Sequence, residues 1–411
     1  MEIRNTQRHN SPPTVVDLYC GAGGLSWGFK KAGFKFLLSI DHNKAAIETY
    51  RSNLCHDAMC GEISESTKLP YADVIIGGPP CQGFSSAGLR RSDDHRNSLV
   101  GIFAELIAEH KPRAFVFENV EGFLSVNGGK RILDLLCPLI AAGYRIHLKK
   151  INAANYGVPQ HRKRVIAIGG LGWDPTFPAA THMAFGAPGA SRTLRHLPPA
   201  PTLNDAFTGL SVPTMEHPGI PRGHYVKPIS KDDLERIKKL KPGQTMRDLP
   251  EELWHQSYTR RAYRRVMDGT PSERRGGAPA GLRRLRYDEP CKAITSGAIS
   301  EFVHPIEDRF LTLRECARVQ TFPDRFIFSG NASEQIVQIG NAVPPLLAEQ
   351  IARTLYKDII SEQHANSKGD LLTFIPTLSN GHSPALDQAI TLVKKTFSTY
   401  PTKTEQLALW D

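Results

Sequence analysis

The chain has 411 residues, a formal net charge of +10 at pH 7 and a pI near 9.2. This length allows two domains with ample core, and the excess of arginine and lysine favours a polyanionic partner without separating DNA from RNA or a membrane surface. The seven cysteines include no Cys-x-x-Cys pair and predict no zinc site, and no apolar run is long enough to span a membrane.

The first predicted unit is a strand, a glycine-rich turn, a helix and a second strand. The first strand runs from Thr14 to Tyr19, the turn from Cys20 to Leu25, and the second strand ends at Asp41, 20 residues after Gly21. Glycines in such a turn let the backbone approach a cofactor closely, and the acid can accept hydrogen bonds from ribose hydroxyls. The pattern predicts a nucleoside-binding site, and a glycine turn needed only for packing is the alternative.

Ser26 narrows the choice of cofactor. It occupies the place of the third glycine in the Gly-x-Gly-x-x-Gly fingerprint of dinucleotide-binding proteins. A nicotinamide-dependent oxidoreductase is therefore the weaker interpretation. A nucleoside cofactor without a pyrophosphate fits better, and S-adenosylmethionine is the obvious one.

A cysteine follows the next apolar strand. The strand Val74 to Ile76 leads into a turn fixed by glycine and proline that contains Cys81, and 37 residues later a second apolar strand ends at Glu118. A thiol and a carboxyl at the ends of two strands can form a pair for covalent catalysis. The alternative is a tight turn with a buried, inert thiol.

Further elements are predicted from apolar periodicity and capping signals. They are a helix from Asn97 to His110, a strand from Val165 to Ile168, an irregular stretch over 172–228, a helix from Lys231 to Leu240, a helix capped by Thr312 and Glu315, a helix from Leu346 to Tyr356, and a helix starting at Ser383-Pro384. The last helix carries an apolar face that we expect to pack on the rest of the chain, formed by Leu386, Ala389, Ile390, Val393 and Phe397.

Arginines are concentrated between Tyr258 and Arg286. This segment contains nine arginines but only two acids, Asp268 and Glu273. Several glycines and a proline lie between the arginines. Arginine rather than lysine suits bidentate contacts with guanine edges or phosphates. A solvated basic surface is the usual alternative for such a run.

Six ordered motifs identify a family. The chain resembles the DNA (cytosine-5) methyltransferases of prokaryotic restriction–modification systems, from about Asp17 to Pro345. The motifs are Asp17-Leu18-Tyr19-Cys20-Gly21-Ala22-Gly23-Gly24, Pro79-Pro80-Cys81-Gln82, Glu118-Asn119-Val120, Gln160-His161-Arg162-Lys163-Arg164, the segment from Arg309 to Pro323, and Gly340-Asn341-Ala342-Val343-Pro344-Pro345.

The resemblance implies roles for four catalytic residues. Cys81 would add as a thiolate to C6 of cytosine, and Glu118 would supply a proton or a strong hydrogen bond at N3. Arg164 would hold the O2 edge of the base, and Arg162 would steady the Cys81 loop. Because C5 is out of reach inside a duplex, the base must be flipped out.

The resemblance also implies S-adenosylmethionine as the cofactor, with no metal. Asp41, where the family more often has Glu, would take the ribose hydroxyls, and Glu62, usually Asp, would accept from the adenine amino group. His42 stands where many members have a larger residue. The implied cofactor-binding residues are Tyr19, Gly21, Gly23, Gly24, Leu25, Asp41, His42, Glu62, Pro80, Asn341 and Val343.

Double-stranded DNA is the implied partner. The polar loop after Cys81 would close over flipped DNA, and the arginine-rich segment falls where the family has its target-recognition domain. The implied DNA-binding residues are Ser85, Arg90, Arg91, Arg96, Arg260, Arg261, Arg264, Arg265, Arg283, Arg284 and Arg286.

The implied fold is an α/β, Rossmann-like methyltransferase domain with helices on both faces of a mostly parallel sheet and an inserted, smaller, irregular target-recognition domain. We expect the first part of the catalytic domain over 1–185, the target-recognition domain over 186–305, the motif helix and the return to the catalytic domain over 306–365, and a C-terminal extension over 366–411.

The expected protein is a cytoplasmic, prokaryotic monomer that is associated with the nucleoid through DNA and paired with a restriction endonuclease of the same specificity. Three alternatives stay open: a tRNA cytosine-5 methyltransferase, a non-catalytic DNA-binding relative, and the oxidoreductase already mentioned.

Overall fold

A computed structural model describes residues 11–54, 57–80, 98–186, 194–214, 223–256, 258–259, 281–361, 367–375 and 384–397 of the chain. Within these ranges, no helix has the length and apolar character needed to cross a bilayer.

The strands alternate with helices through the first half of the chain. The strands are β1 (Thr14–Leu18), β2 (Lys35–Asp41), β3 (Met59–Cys60), β4 (Val74–Gly77), β5 (Ala114–Val120), β6 (Tyr144–Asn152), β7 (Gln160–His161), β8 (Lys163–Leu171), β9 (Arg283–Arg284), β10 (Cys291–Lys292), β11 (Phe302–Val303) and β12 (Asp370–Ile375). Eight of them form the main sheet, in the order β12-β6-β8-β5-β4-β1-β2-β3.

Sheet topology sets the place of a binding site. Strand β8 is antiparallel to β5 and β6, whereas the other neighbouring pairs of the main sheet are parallel. From β1 the chain adds β2 and then β3 on one side. It then adds β4 and β5 on the other side of β1. The order therefore reverses between β1 and β4, and ligands of open α/β sheets bind beyond the carboxyl ends of the strands at such a point.

The α-helices are α1 (Gly24–Lys31), α2 (Lys44–Asn53), α3 (Leu99–His110), α4 (Lys130–Ala141), α5 (Leu203–Phe207), α6 (Lys231–Lys239), α7 (Ala298–Glu301), α8 (Leu313–Val319), α9 (Ala332–Asn341), α10 (Pro345–Ile360) and α11 (Pro384–Thr396). Short 3₁₀ segments lie at Glu121–Leu124, Val126–Gly129, Ala153–Tyr156, Met246–Asp248 and Glu251–Leu253.

The central strands are buried on both faces. Along β1, Val15 packs into one apolar cluster and Val16 into another, and Phe115 and Val116 of β5 divide in the same way. Strands covered on both sides read as continuous apolar runs, which explains why the sequence predicted them well.

Helix caps agree with the sequence. The Thr312 side chain accepts from the Glu315 amide, and the Glu315 carboxylate accepts from the Thr312 amide, so the predicted capping box at the start of α8 is confirmed. Glu315 also pairs with Arg309 inside the protein. The same short turn therefore begins a helix and satisfies a buried cation.

The part beyond residue 367 adds to the catalytic sheet. Strand β12 extends the sheet in parallel to β6, and Ala389 and Val393 of α11 are fully buried in the core cluster that contains Phe117. The prediction that the α11 face packs on the rest of the chain is confirmed for these residues, whereas β12 was not predicted. The four predicted domain ranges stay predictions.

Candidate active site

A cavity of about 590 Å³ opens at the carboxyl edge of β1, β2, β4 and β5. Because β8 is antiparallel, its amino end reaches the same edge and brings Arg164 there. The predicted site residues that line the cavity are Tyr19, Gly21, Gly24, Leu25, Asp41, His42, Pro80, Glu118, Arg164, Asn341 and Val343.

Other lining residues had no predicted role. They are Asp17, Cys20, Ala22, Asn43, Ala46, Gly78, Pro79, Asn119, Val120, Val337, Gln338 and Ala342. Most of them lie beside predicted residues in the sequence. Extending each motif by one or two positions could therefore have found them. Val337 and Gln338 belong to α9, and only the tertiary fold brings that helix to the cavity.

The glycine-rich turn is tied to the end of β2. The Gly21 amide donates to Asp41 Oδ2 at 2.9 Å, and the Asn43 amide donates to Asp41 Oδ1 at 2.8 Å. Tyr19 begins the turn with a positive φ of 61°, and His42 Nδ1 lies 3.5 Å from Asp41 Oδ1. The Asp41 carboxylate is thus fixed, with lone pairs left for a hydroxyl ligand.

Two adjacent glycines serve different contacts. A Cβ on Gly24 would lie 2.3 Å from the Val343 carbonyl oxygen, so this glycine lets the segment after α9 approach the turn. A Cβ on Gly23 would lie 2.2 Å from Leu54 Cδ1 and 2.9 Å from Tyr50 Cδ2. Gly23 is not among the residues that line the cavity. Its close contacts with Leu54 and Tyr50 explain why this position holds a glycine.

Glu62 also stands apart from the cavity lining. Its side chain is exposed, yet it is close enough that its charge adds to burial in raising the pKa of Tyr19. Its predicted contact with adenine stays a prediction.

Glu118 and Arg164 form the polar centre of the site. Arg164 Nε lies 2.8 Å from Glu118 Oε1, although Oε1 lacks an aligned hydrogen bond among the described residues. Burial raises the pKa of Glu118, and the charges of Arg164 and Arg162 oppose that rise. The burial effect dominates, so this carboxyl holds a proton at a higher pH than an ordinary glutamate.

Arg162 is buried and binds backbone carbonyls. It donates to Ile294 O at 3.1 Å, to Gly340 O at 2.7 Å and to Ala342 O at 2.9 Å. Burial lowers its pKa to about 9. These bonds fix the segment that carries Asn341 and Val343, a role that the sequence did not predict.

The nucleophile loop lies outside the described residues, as do most of the predicted DNA contacts. The residues concerned are Cys81, Ser85, Arg90, Arg91, Arg96, Arg260, Arg261, Arg264 and Arg265. The last described residues before this loop lie at the cavity. Pro80 lines the cavity, and the Pro79 carbonyl accepts a hydrogen bond from Asn119 Nδ2 at 2.8 Å.

The prediction that Arg284 contacts DNA is wrong in this structure. Its side chain is 5% exposed, and it donates to Ile237 O at 2.8 Å, to His304 O and Glu307 O at 3.1 Å each, and to Asp308 Oδ1 at 2.5 Å. Both terminal nitrogens of this guanidinium are therefore occupied by acceptors within the protein.

Arg283 and Arg286 are more exposed than Arg284. All three line a second cavity of about 310 Å³ together with Lys292 and Glu289. Arg286 is exposed and bonds to Asp288, also exposed. The predicted contacts of Arg283 and Arg286 with DNA stay predictions.

The mixed α/β sheet, the glycine-rich turn and the buried acid–arginine pair define a methyltransferase of the Rossmann-like class. The fold is shared with the crystal structure of a prophage-encoded protein of E. coli described as a DNA modification methyltransferase, with a TM-score of 0.59 and 24% identity over 84% of this chain and 99% of that chain. It is also shared with S. pombe Dnmt2 methyltransferase, with a TM-score of 0.51 and 17% identity over 84% and 99%.

Residues 13–357 match the C-5 cytosine-specific DNA methylase family, and the chain belongs to it. The chain is 34% identical to type II methyltransferase M.AgeI of Thalassovita gelatinovora over 83% of this chain and 98% of that relative. It is also 34% identical to type II methyltransferase M1.HphI of Haemophilus parahaemolyticus over 84% and 87%. The predicted family, fold class and enzyme class, DNA (cytosine-5-)-methyltransferase, are confirmed.

Proposed function

We propose that this protein transfers a methyl group from S-adenosylmethionine to C5 of a flipped-out cytosine in a specific duplex DNA sequence, through a covalent bond between Cys81 and C6. The observation that carries the proposal is the shared cavity. Glu118 and Arg164 line the same space as the glycine-rich turn and Pro80, the residue before Cys81. One continuous space therefore serves both a cofactor and a base.

The glycine-rich turn favours this cofactor over a dinucleotide, because Ser26 stands where a dinucleotide-binding turn has its third glycine. Asp41 would hold the ribose. The α1 amino terminus, which has no side-chain cap, would attract the methionine carboxylate. When bound, the cofactor supplies a sulfonium methyl group as the electrophile.

The residues of the chain then act on the base. The Cys81 thiolate attacks C6, and the C5–C6 electron pair moves toward C5 and N3. Glu118 donates a hydrogen bond or a proton at N3, which its raised pKa favours. Arg164 orients the base at O2. After methylation, solvent water takes the proton from C5, and the electron pair of that C–H bond restores the C5–C6 double bond and expels the Cys81 sulfur as a thiolate. The proton at N3 then returns to Glu118.

We further infer a role as the modification half of a restriction–modification pair. Relatives that match this chain over most of their length are named type II methyltransferases. The net charge of +10 suits a DNA partner. Methylation of the recognition sequence would then protect host DNA from a cognate endonuclease.

Covalent trapping tests the proposal. Duplex DNA containing 5-fluorocytosine is incubated with the protein and S-adenosylmethionine, and adducts are resolved on a denaturing gel. Fluorine at C5 blocks the final elimination, so we expect a cofactor-dependent adduct that Cys81→Ala abolishes. Cys137→Ala is the matched control, because this thiol is exposed on α4, and we expect it to trap normally.

The possible negative results have different meanings. Trapping on tRNA but not on a varied pool of duplexes would transfer the activity to RNA. Adducts that persist in Cys81→Ala would overturn the choice of nucleophile. Binding of DNA without any adduct would favour a non-catalytic relative.

A further inference from the structure

The C-terminal extension, which consists of β12 and α11, lies against a turn that follows the catalytic strand β5. The extension lies beyond the family match over residues 13–357. A Cβ added to Gly129 in this turn would lie 2.3 Å from Ala389 Cβ and 2.8 Å from Ala389 Cα of α11. Gly129 also has a φ of 87°, which residues with a side chain rarely adopt. The helix and the turn therefore meet without room for a side chain.

This turn is continuous with the strand that carries Glu118. Strand β5 ends at Val120, and the 3₁₀ segments Glu121–Leu124 and Val126–Gly129 follow it before α4 begins. Two short turns of chain therefore separate Glu118 from the contact with Ala389. A displacement of α11 would be passed along this segment to the end of β5.

Apolar packing connects the same parts of the molecule. Phe117 precedes Glu118 and Phe123 follows it, and the centroids of the two phenylalanine rings are 5.2 Å apart. Both rings are fully buried in one core cluster. The extension contributes to that cluster Leu371, Phe374, Ala389 and Val393. It therefore completes the core that holds the chain on both sides of Glu118.

The Glu118 carboxyl depends on its backbone for its position. Arg164 Nε lies 2.8 Å from Glu118 Oε1, and Oε1 lacks an aligned hydrogen bond among the described residues. Val120 is paired with Arg164 across β5 and β8. Arg164 therefore holds the carboxyl from one side, and the path of β5 sets the rest of its position. A displacement of about 1 Å in a reacting group can cost about 10²-fold in rate.

We propose that the C-terminal extension is a positioning element for the catalytic acid. Ala389, seated on Gly129, holds the end of β5 in the place from which Glu118 reaches the base. This inference rests on the proposed role of Glu118. The six motifs include no residue of the extension, so the positioning contact is a feature of this chain outside the family's motif set.

The first test is Gly129→Ala in the full chain, which forces a methyl group against α11. Methyl transfer to a varied pool of duplexes gives kcat, expressed per site that binds S-adenosylhomocysteine in calorimetry, so that unfolded molecules are not counted. We expect kcat to fall about 10- to 100-fold, with the Kd of S-adenosylhomocysteine within about twofold. Gly209→Ala is the control for backbone strain, because Gly209 has a φ of 73° and no atom lies within 4 Å of its new Cβ. We expect a normal kcat for this control.

Changes on the helix side separate positioning from folding. Adding Ala389→Gly to Gly129→Ala removes the opposing methyl group, and we expect kcat to recover by about threefold or more. Ala389→Gly alone leaves a gap, so we expect kcat to fall about two- to fivefold and amide hydrogen exchange over residues 118–124 to become faster. Thr391→Gly, on the exposed face of α11, is the control for lost helix propensity. It should change neither kcat nor this exchange.

Each contrary result points to a different error. A normal kcat per binding site in Gly129→Ala, or no recovery in the double variant, would overturn the inference and leave the proposed function standing. Equal losses of kcat and cofactor affinity would make the contact a general structural one and also overturn the inference. A wild type that transfers no methyl group to DNA would overturn the proposed function and this inference together. If Gly129→Ala does not fold, Ala389→Gly decides, and kcat and exchange equal to those of Thr391→Gly would refute the positioning role.

Discussion

Replacing Arg284 by methionine should destabilise the protein without acting directly on DNA. Methionine is long and flexible enough to fill much of the space, but it cannot donate to the four acceptors of the Arg284 guanidinium. Arg286→Met is the matched control, because Arg286 is exposed and bonds to an exposed aspartate. The pair of variants separates a buried arginine from a surface arginine two positions away.

The size of the effect follows from the burial of the acceptors. The carbonyls of Ile237 and His304 are buried at their bonds with Arg284, and each unpaired buried acceptor costs about 1–3 kcal/mol. Asp308 is 42% exposed, so water can replace the arginine there and little is lost. We expect a total of about 3–5 kcal/mol, typical of removing one partner of a buried charged network.

Calorimetry and DNA binding at several salt concentrations provide the assay. Unfolding entropy of about 2.1 cal/mol/K per residue converts this loss to about 3–6 °C in Tm for 411 residues that unfold as one unit. We expect Arg286→Met to keep its Tm and to reduce the salt slope of DNA binding by about one, as for a lost phosphate contact. An Arg284→Met protein with normal Tm and altered site preference would refute the structural role.

Three further predictions concern the catalytic pair, the glycine turn and the C-terminal strand. Glu118→Gln should lower kcat about 10²- to 10⁴-fold, with little change in the Kd of the cofactor. In the wild type, kcat should fall as the pH rises through the raised pKa of Glu118. An unchanged kcat in the variant would contradict the role of Glu118 as an acid. Gly24→Ala should weaken cofactor binding in calorimetry, because its Cβ would lie 2.3 Å from Val343 O. Gly122→Ala, with no atom within 4 Å of the new Cβ, is the control, and equal losses would refute the argument. Phe374→Ala should reduce the free energy of unfolding by about 3–5 kcal/mol in denaturant titrations, since Phe374 is 1% exposed; a loss below about 1 kcal/mol would mean that β12 is not part of the core.

The central sheet could be predicted from the sequence because its signals are local. The segments Val74–Gly77 and Ala114–Val120 are continuous apolar runs that end in motif residues, and both are strands of the sheet. Strand β12 has no comparable local signal for its partner. Thr373 and His147, whose side chains lie 2.8 Å apart across β12 and β6, are separated by 226 residues. Long-range pairing of this kind is settled by tertiary packing.

Side-chain direction limited the prediction of the site. The arginine-rich segment indicated a basic surface, yet Arg284 at the end of β9 is buried, whereas Arg286, beyond the end of that strand, is exposed. Asp17 belongs to the first motif and received no predicted role, because a carboxylate inside an apolar strand gives no sign of what it faces. The structure places it at the cavity wall, with Oδ1 unpaired among the described residues.

The polar motifs near the cavity also hold distant segments together. Gln160 accepts from the Ile294 amide at 3.1 Å and donates to Gln320 Oε1 at 2.6 Å. Gln320 in turn donates to the carbonyls of Ile339 and Ala342. Arg162 also donates to the carbonyls of Ile294, Gly340 and Ala342.

This buried network connects the segment just before β8, the strand that carries Arg164, with the segment that carries Asn341 and Val343 at the cavity. Each bond is made inside the protein, where unpaired donors and acceptors are costly, so the parts cannot separate independently. Ile294 follows β10, whose partner strand β7 contains Gln160. Arg164 and the cavity wall at Asn341 and Val343 are therefore held by one set of contacts, and the order of the motifs along the chain reflects that shared framework as well as the chemistry of individual side chains.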